Sequence, residues 1–302
     1  MQTVIMLNTT TTNKFGIEIE TVGLSLHALV AAIHPVVGGT LDSRTASVTM
    51  ADGRVWRAVP DGSLSGNRNG EIVSPILSYV DLEMLQNVVR AVRKAGAQVD
   101  SSCGIHVHVD GSRFDARGLL NLVNLVHKNE RLIERALGVA AHRLSRYTQP
   151  LGADFIARLD GRRPRSLTDL QDAWYGRAHA APHRYDMTRY HGLNLNSMFY
   201  RGTVEFRYFN GTLHAGEIKS YVQLCLAMVA RAQGARATSR SRRQVETQNE
   251  KWAFRVFMKT MGMIGPEFET ARLHLTKHLT GNGSNPSRSA ARAVTPTTPT
   301  ES

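Results

Sequence analysis

Three short segments place ionisable residues two positions apart. They are Glu18 and Glu20 in Phe15-Gly-Ile-Glu-Ile-Glu20, His106 and His108 in Cys103-Gly-Ile-His-Val-His108, and Glu205 with Arg207 in Thr203-Val-Glu-Phe-Arg207. Apolar residues fill most of the alternate positions, which is the period of a β-strand. Side chains at i and i+2 leave a strand on the same face, about 6.6–7 Å apart. Each segment therefore predicts two ionisable groups on one face and apolar groups on the other. Carboxylates and imidazoles suit a divalent cation, and carboxylate-rich sites suit hard ions such as Mg²⁺ or Mn²⁺. A guanidinium adds a planar, bidentate donor for a phosphoryl or carboxylate group.

Each pair alone has an ordinary alternative. Two glutamates on a strand often face solvent, and a histidine is more often a satisfied core or surface residue. An exposed Glu–Arg pair contributes about 1 kcal/mol or less. The neighbours weigh against these readings. Phe15, Ile17 and Ile19 form one face, leaving only Gly16, Glu18 and Glu20 on the other, and Asp110 extends the histidine face to His-x-His-x-Asp. Asp61, in Asp61-Gly-Ser-Leu64, and Glu71, before Ser74-Pro75, are the next candidates. Asp61 also reads as a simple turn aspartate. The chain has no Gly-x-x-x-x-Gly-Lys-Ser/Thr, Gly-x-Gly-x-x-Gly, Gly-x-Ser-x-Gly or His-Glu-x-x-His motif. Zinc is disfavoured because Cys103 and Cys225 do not cluster. The two are expected to be reduced thiols, one of them buried, in a cytoplasmic chain.

The elements that must position these residues can be read from periodicity and punctuation. Strands are expected at Lys14–Val22, Ala46–Met50, Arg54–Val59, Glu71–Ser74 and Gly104–Asp110. A further hairpin is expected from His191–Phe199 and Gly202–Phe209 around Tyr200-Arg201-Gly202. Helices are expected at Leu24–Ile33, ending before Pro35, and at Asp81–Gly96, with Asp81 as N-cap and Gly96 as C-cap. Others are expected at Asp115–Leu137, Ala215–Ala232, Trp252–Met261 and Glu267–His278. Residues 140–190 are irregular and rich in Arg, His and Tyr, the composition of a functional insert. The order is not a regular βαβ alternation, so the fold class predicted is α+β with a mostly antiparallel sheet.

Composition bounds the rest. With 302 residues, 42% hydrophobic and 21% charged, the chain is expected to be a soluble globular protein with a sizeable core. No apolar run approaches the roughly 18–20 residues that span a bilayer. The N-terminus, 1–13, reads as flexible and without a secretory signal, and 281–302 as a disordered tail. Between them, 14–280 is read as one catalytic domain, with a variable insert at 140–190 and a helical extension at 245–280. The net charge of +12 predicts an anionic partner or substrate. Arg162, Arg163 and Arg165 form one basic cluster, and Arg231, Arg236, Arg240, Arg242 and Arg243 another. With 7% aromatic residues and no interleaving of aromatics with arginine, nucleic acid is the less favoured partner.

The motifs in their order resemble the amidoligase family of the glutamine synthetase-like superfamily of carboxylate–amine ligases. The matching segments are Phe15-Gly-Ile-Glu-Ile-Glu20, Asp61-Gly-Ser-Leu64, Gly70-Glu-Ile-Val-Ser-Pro-Ile76, Gly104-Ile-His-Val-His-Val-Asp110, Arg189-Tyr190 with Asn194, and Thr203-Val-Glu-Phe-Arg-Tyr-Phe-Asn-Gly-Thr212. They run from about residue 14 to 232. The resemblance implies a curved antiparallel sheet with helices on its convex side. Its concave face would hold ATP and two or three divalent ions, Mg²⁺ or Mn²⁺. It implies an enzyme in which ATP phosphorylates a carboxylate and an amine then displaces phosphate to form an amide.

Carried over by motif, Glu18, His106 and Glu205 resemble ligands of the metal bridging the nucleotide phosphates. Glu20 and Glu71 resemble ligands of a second metal, with Asp61 as a further carboxylate where glutamine synthetase itself has two glutamates. His108 would approach the nucleotide. Arg207, and with it Arg189, would contact the transferring phosphoryl group or substrate carboxylate. Glu71 or an acid in 140–190 would take the amine's proton, and Arg143, Arg146, Tyr147, Arg177 and Arg184 would shape the acceptor pocket. The substrates implied are a small-molecule or peptide carboxylate and an amine donor. Two other readings stay open: a guanidino or amine phosphotransferase on a related sheet, and a non-catalytic basic nucleic-acid-binding protein.

Overall fold

The computed structural model describes residues 10–162, 164–178, 181–241 and 249–283. Residues 1–9 of the N-terminal segment, Arg163, Arg242, Arg243 and the tail from 284 lie outside the described residues. Eight strands form one sheet: β1 (Phe15–Val22), β2 (Thr40–Asp42), β3 (Ser47–Thr49), β4 (Val55–Val59), β5 (Asn69–Val73), β6 (Gly104–Asp110), β7 (Leu193–Asn194) and β8 (Thr203–Asn210). Their order is β2-β3-β4-β5-β1-β6-β8-β7, and every neighbouring pair is antiparallel. The helices are α1 (Leu26–Val37), α2 (Leu82–Lys94), α3 (Ala116–Leu137), α4 (Ala141–Arg146), α5 (Ala153–Arg162), α6 (Leu167–Tyr175), α7 (Asn196–Arg201), α8 (Ala215–Gly234), α9 (Glu250–Thr260) and α10 (Glu269–His274). The class is α+β. No helix among the described residues is long and apolar enough to cross a membrane.

The period of two sorts the sheet into an apolar and a polar face. Phe15, Ile17 and Ile19 of β1, Ile105, Val107 and Val109 of β6, and Val204 and Phe206 of β8 are all buried in the main core. Helix α1 packs over β2–β5, α8 over β6 and α3 over β8, and α2 wedges between α1 and α8. Burying each of these side chains stabilises the fold by roughly 1.5–3 kcal/mol. The one-face rule then fixes where Glu18, Glu20, His106, His108, Glu205 and Arg207 must emerge.

Several expectations change. Helix α1 continues past Pro35 to Val37, because a proline in the last turn removes only the donor for the Ala31 carbonyl. Asp81 stands at the N-cap of α2, as expected, but its side chain makes no cap bond to that helix. It forms a capping box with Ser78 around a 3₁₀ turn, Tyr79–Asp81, that leads into the helix. Gly96 closes the helix from one residue past the C-cap Ala95: at φ 102° its N–H donates to the Arg93 carbonyl at 3.1 Å. The hairpin expected around Tyr200 is formed only in part, where Leu193–Asn194 pair antiparallel with Glu205 and Phe206. Only Leu193–Asn194 are extended, and α7 occupies Asn196–Arg201, closed by Gly202 at φ 79°. A left-handed glycine satisfies the last helical carbonyls, which a tight strand turn would leave to solvent. The insert at 140–190 holds α4, α5, α6 and a 3₁₀ turn at Met187–Arg189.

Gly192 brings the insert against the sheet. Its carbonyl accepts from the Arg207 N–H at 2.8 Å, and a Cβ there would stand 2.0 Å from the ring of the fully buried Tyr208. Gly192→Ala is expected to cost about 2–3 kcal/mol in urea denaturation. A loss below about 0.5 kcal/mol would show that the ring yields freely.

Candidate active site

Register brings the three motif strands together. Glu18 faces His106 and Gly16 faces His108 across β1 and β6. Glu20 faces Glu71 across β1 and β5, and His108 faces Glu205 across β6 and β8. On the far side of β8, Asn194 faces Glu205. The β6–β8 ladder slips between Ile105 and Val107, where β8 carries Arg207. Such a bulge re-aims side chains, and this one lies beside the acids.

These side chains line one cavity of about 630 Å³. Glu18, Glu20, Asp61, Glu71, His106, His108, Arg189, Glu205 and Arg207 all line it. The Glu18 Oε2 atom sits 3.3 Å from both His106 Nδ1 and His108 Nε2. Glu205 Oε1 lies 3.8 Å from His106 and 3.9 Å from His108. The same oxygen accepts from Arg207 Nη1 at 2.5 Å, while Glu205 Oε2 accepts from Asn194 Nδ2 at 2.6 Å. Two overlapping trios have ligand atoms within 4.8 Å of one another, Glu18–Glu71–His106 and Glu18–His108–Glu205.

The electrostatics follow from crowding. Glu18 is held well below the usual carboxylate range: burial opposes this, but the His108 charge and hydrogen bonds from both histidines outweigh it. Glu205 sits at about 2, where Arg207, His108 and His106 outweigh burial. His108 is raised, because Glu18 and Glu205 outweigh its burial. Glu71 is pushed up to about 10, first by burial and then by the charges of Glu18 and Glu20. A site that keeps three carboxylates this close protonates one of them unless a cation balances them.

The trios divide the residues differently from the motif carry-over. His108 stands with Glu18 and Glu205 in a trio whose geometry could hold a cation, whereas the resemblance would bring it to the nucleotide. His106 stands with Glu71. Glu20 belongs to neither trio, since one of its oxygens accepts from the Gly104 N–H at 2.5 Å. Asp61 also stands outside them, with Oδ1 accepting from Ser63 N and Oγ, both at 2.8 Å, as its turn reading requires. Arg189 stacks over Tyr190 at 5.2 Å. Of the insert residues, Arg143, Tyr147 and Arg184 line the cavity; Arg146 and Arg177 do not, nor does any acid of 140–190. Both cysteines are free and buried, so Cys103 as well as Cys225 is sequestered.

The structure adds Arg201, whose Nη1 lies 3.9 Å from Glu18 Oε1, and Ser197, whose hydroxyl faces His108 Nδ1 at 3.5 Å. Both lie on or beside α7, in the segment read as a hairpin, and only recognising that helix would have turned them inward. A third group, His214, Glu217 and His274, lies at the start of α8. There His214 caps the helix and Glu217 holds Lys277 at 2.6 Å, so those groups are already engaged.

The pH dependence has a defined sign. Glu71 is protonated in the folded protein and ionised when unfolded between pH 4.5 and about 10. Its contribution to stability therefore falls as pH rises through that window. Raised His108 acts in the same direction, present below 6.5 and lost as pH climbs past its folded value. Lowered Glu18 and Glu205 contribute above 4.5 and lose their contribution only below it. The chelator-treated protein is expected to lose Tm between pH 6 and 9, and Mg²⁺ to restore more at pH 9 than at pH 6. Glu71→Gln is expected to flatten both trends in scanning fluorimetry. An unchanged slope in that variant would contradict the assignment.

A search of curated proteins finds no match. Among solved structures, the chain is similar to the crystal structure of a bifunctional glutathione synthetase from Pasteurella multocida, at 12% identity and a TM-score of 0.39. The match covers 92% of this chain and 48% of that one, so the chain spans about half its length. A family model described as "Putative amidoligase enzyme" matches residues 11–229, the span that contains every strand of the sheet and every residue of the two trios, and the chain belongs to that family.

Proposed function

We propose that the protein is an ATP-dependent carboxylate–amine ligase that forms an amide through an acyl phosphate. Family membership supports a ligase-type enzyme. The observation that carries the finer reading is the pair of trios sharing Glu18, in one cavity with Arg207 and Arg201. Phosphoryl transfer from ATP to a carboxylate, with ADP leaving, asks mainly for positioning and for charge stabilisation around phosphoryl oxygens.

The donor set fits divalent cations. It is oxygen-rich with two imidazoles, its carboxylates are crowded enough to force a proton onto Glu71, and buried His108 Nε2 faces two carboxylates, Glu18 at 3.3 Å and Glu205 at 3.9 Å. Glu18, Glu71 and His106 would hold one Mg²⁺ or Mn²⁺, and Glu18, His108 and Glu205 another, with Glu20 beside them. Bound there, such ions supply Lewis-acid stabilisation of phosphoryl charge.

The chain's own residues do the rest. Arg207, fixed by Glu205 and by a 3.4 Å bond from Nε to the Tyr147 carbonyl, presents a guanidinium to the phosphoryl group. Arg201 and Arg189 add positive charge along the wall. Glu71 takes the proton of the attacking amine. It is available for this as an ionised carboxylate once cations balance the charges of Glu18 and Glu20 that otherwise keep it protonated. The working unit is taken as residues 14–280.

The test is a screen of phosphate and ADP release against amino acids, peptides and polyamines with Mg²⁺ or Mn²⁺. Release that needs both a carboxylate and an amine is expected. ATP consumption that yields a phosphorylated acceptor and no free phosphate would replace the ligase with a phosphotransferase.

A further inference from the structure

Arg143 is a buried cation without an anion. It is 3% exposed, sits on α4 and lines the cavity. Its guanidinium fills the space over Gly104, where a Cβ would stand 2.3 Å from Nη1. Nη1 donates to the Cys103 carbonyl at 3.4 Å and Nη2 to the Arg207 carbonyl at 3.2 Å, both long bonds. Nε is buried with no partner. Among the described residues no carboxylate pairs with Arg143. The acid it senses, Glu20, gives one oxygen to the Gly104 N–H and turns the other toward His106 at 3.9 Å. The neighbouring guanidinium of Arg207 differs in having Glu205 at 2.5 Å.

A buried charge without a counterion costs several kcal/mol, and the same volume filled by an apolar chain is often more stable. Burial also pulls Arg143 below its usual value, the direction of an uncompensated cation. Tyr147, one turn on along the chain, lines the same cavity and its own carbonyl holds Arg207, so both guanidinia are braced by one short segment. A glycine that admits a guanidinium, and carbonyls that orient it while leaving Nε free, make a seat prepared for an oxyanion.

We propose that Arg143 binds an anionic oxygen group of the substrate, a carboxylate or a phosphate, on the Glu20 side of the cavity. The planar fork matches either group through paired N–H donors. The proposal takes from the ligase reading only that the anion belongs to a substrate; the anion seat itself requires no turnover.

The experiment uses the full chain in thermal unfolding at constant ionic strength, titrated separately with inorganic phosphate and with succinate. Wild type, Arg143→Met and Arg143→Lys are compared. Phosphate, succinate or both are expected to raise the wild-type Tm, and the responding anion identifies the source. Arg143→Met is expected to match or exceed wild type without anion and to lose about tenfold or more in anion affinity, while Arg143→Lys keeps part of it. A purely structural arginine gives the opposite pattern: Arg143→Met melts lower and keeps the anion shift. That result, or a wild type that neither anion stabilises, overturns the proposal. If no carboxylate and amine pair supports ATP turnover but the Arg143-dependent shift is present, the ligase reading fails and the anion seat stands.

Discussion

Glu18→Gln is expected to reduce ATP turnover at least about a thousandfold while leaving the protein folded. The size follows from the position of one carboxylate. Glu18 is common to both cation-competent trios, and a single oxygen of it contacts His106 and His108 at 3.3 Å each. Glutamine keeps the volume and most of the hydrogen-bonding capacity but removes the charge. Losing ~4 kcal/mol of cation-dependent stabilisation corresponds to about a thousandfold in rate. The fold should survive, because relief of the charge that helps force a proton onto Glu71 offsets part of what Glu18 contributes through His106 and His108. The metal-free Tm is therefore expected to fall only modestly. Two measurements check this: ADP release with the carboxylate and amine pair that the wild type accepts, and Mn²⁺ binding by calorimetry, which needs no substrate. Turnover within tenfold of wild type, or unchanged Mn²⁺ binding, would remove Glu18 from the centre of the site.

The strands that carry the chemistry were legible because strand physics is local. Alternation in Phe15–Val22 and Gly104–Asp110 sets the face of every side chain, and burial of Ile17, Ile19, Ile105 and Val107 holds that face in place. What alternation cannot give is register. Pairing of Glu18 with His106, but of His108 with Glu205, decides which groups stand close enough to share a cation, and it depends on contacts across more than eighty residues. The residues named from the motifs do line one cavity, but the geometry groups His108 with Glu18 and Glu205. The segment around Arg201 failed for another reason. Asn196–Arg201 is six residues long, too short for a helical period to stand out against a strand pattern, and its stop signal, Gly202, serves a turn equally well. The insert was legible only as composition. Arg143 reaches the cavity because Gly104, thirty-nine residues earlier in sequence, has no side chain, and that dependence leaves no periodic trace.

The ion pair between Glu205 and Arg207 allows stability and catalysis to be separated. Both side chains are 7% exposed, and their atoms meet at 2.5 Å. Arg207→Met alone leaves a buried carboxylate whose remaining close partner is Asn194, and is expected to cost about 3–5 kcal/mol. Glu205→Gln alone leaves Arg207 with the Tyr147 carbonyl at 3.4 Å and is expected to cost a similar amount. The double variant removes both charges, so it is expected to be more stable than either single variant, with a coupling in the cycle larger than the cost of one single substitution. Rescue stays incomplete because His106 and His108 also lean on Glu205, at 3.8 and 3.9 Å. Turnover behaves differently. On the proposed reading Glu205 holds a cation and Arg207 meets the phosphoryl group, so none of the three variants should recover activity even where the fold does. Urea denaturation of all four proteins, read beside their ADP release, decides the point. A double variant that regains both stability and turnover would show that the pair only braces β8, and would move the phosphoryl contact to Arg201 or Arg189.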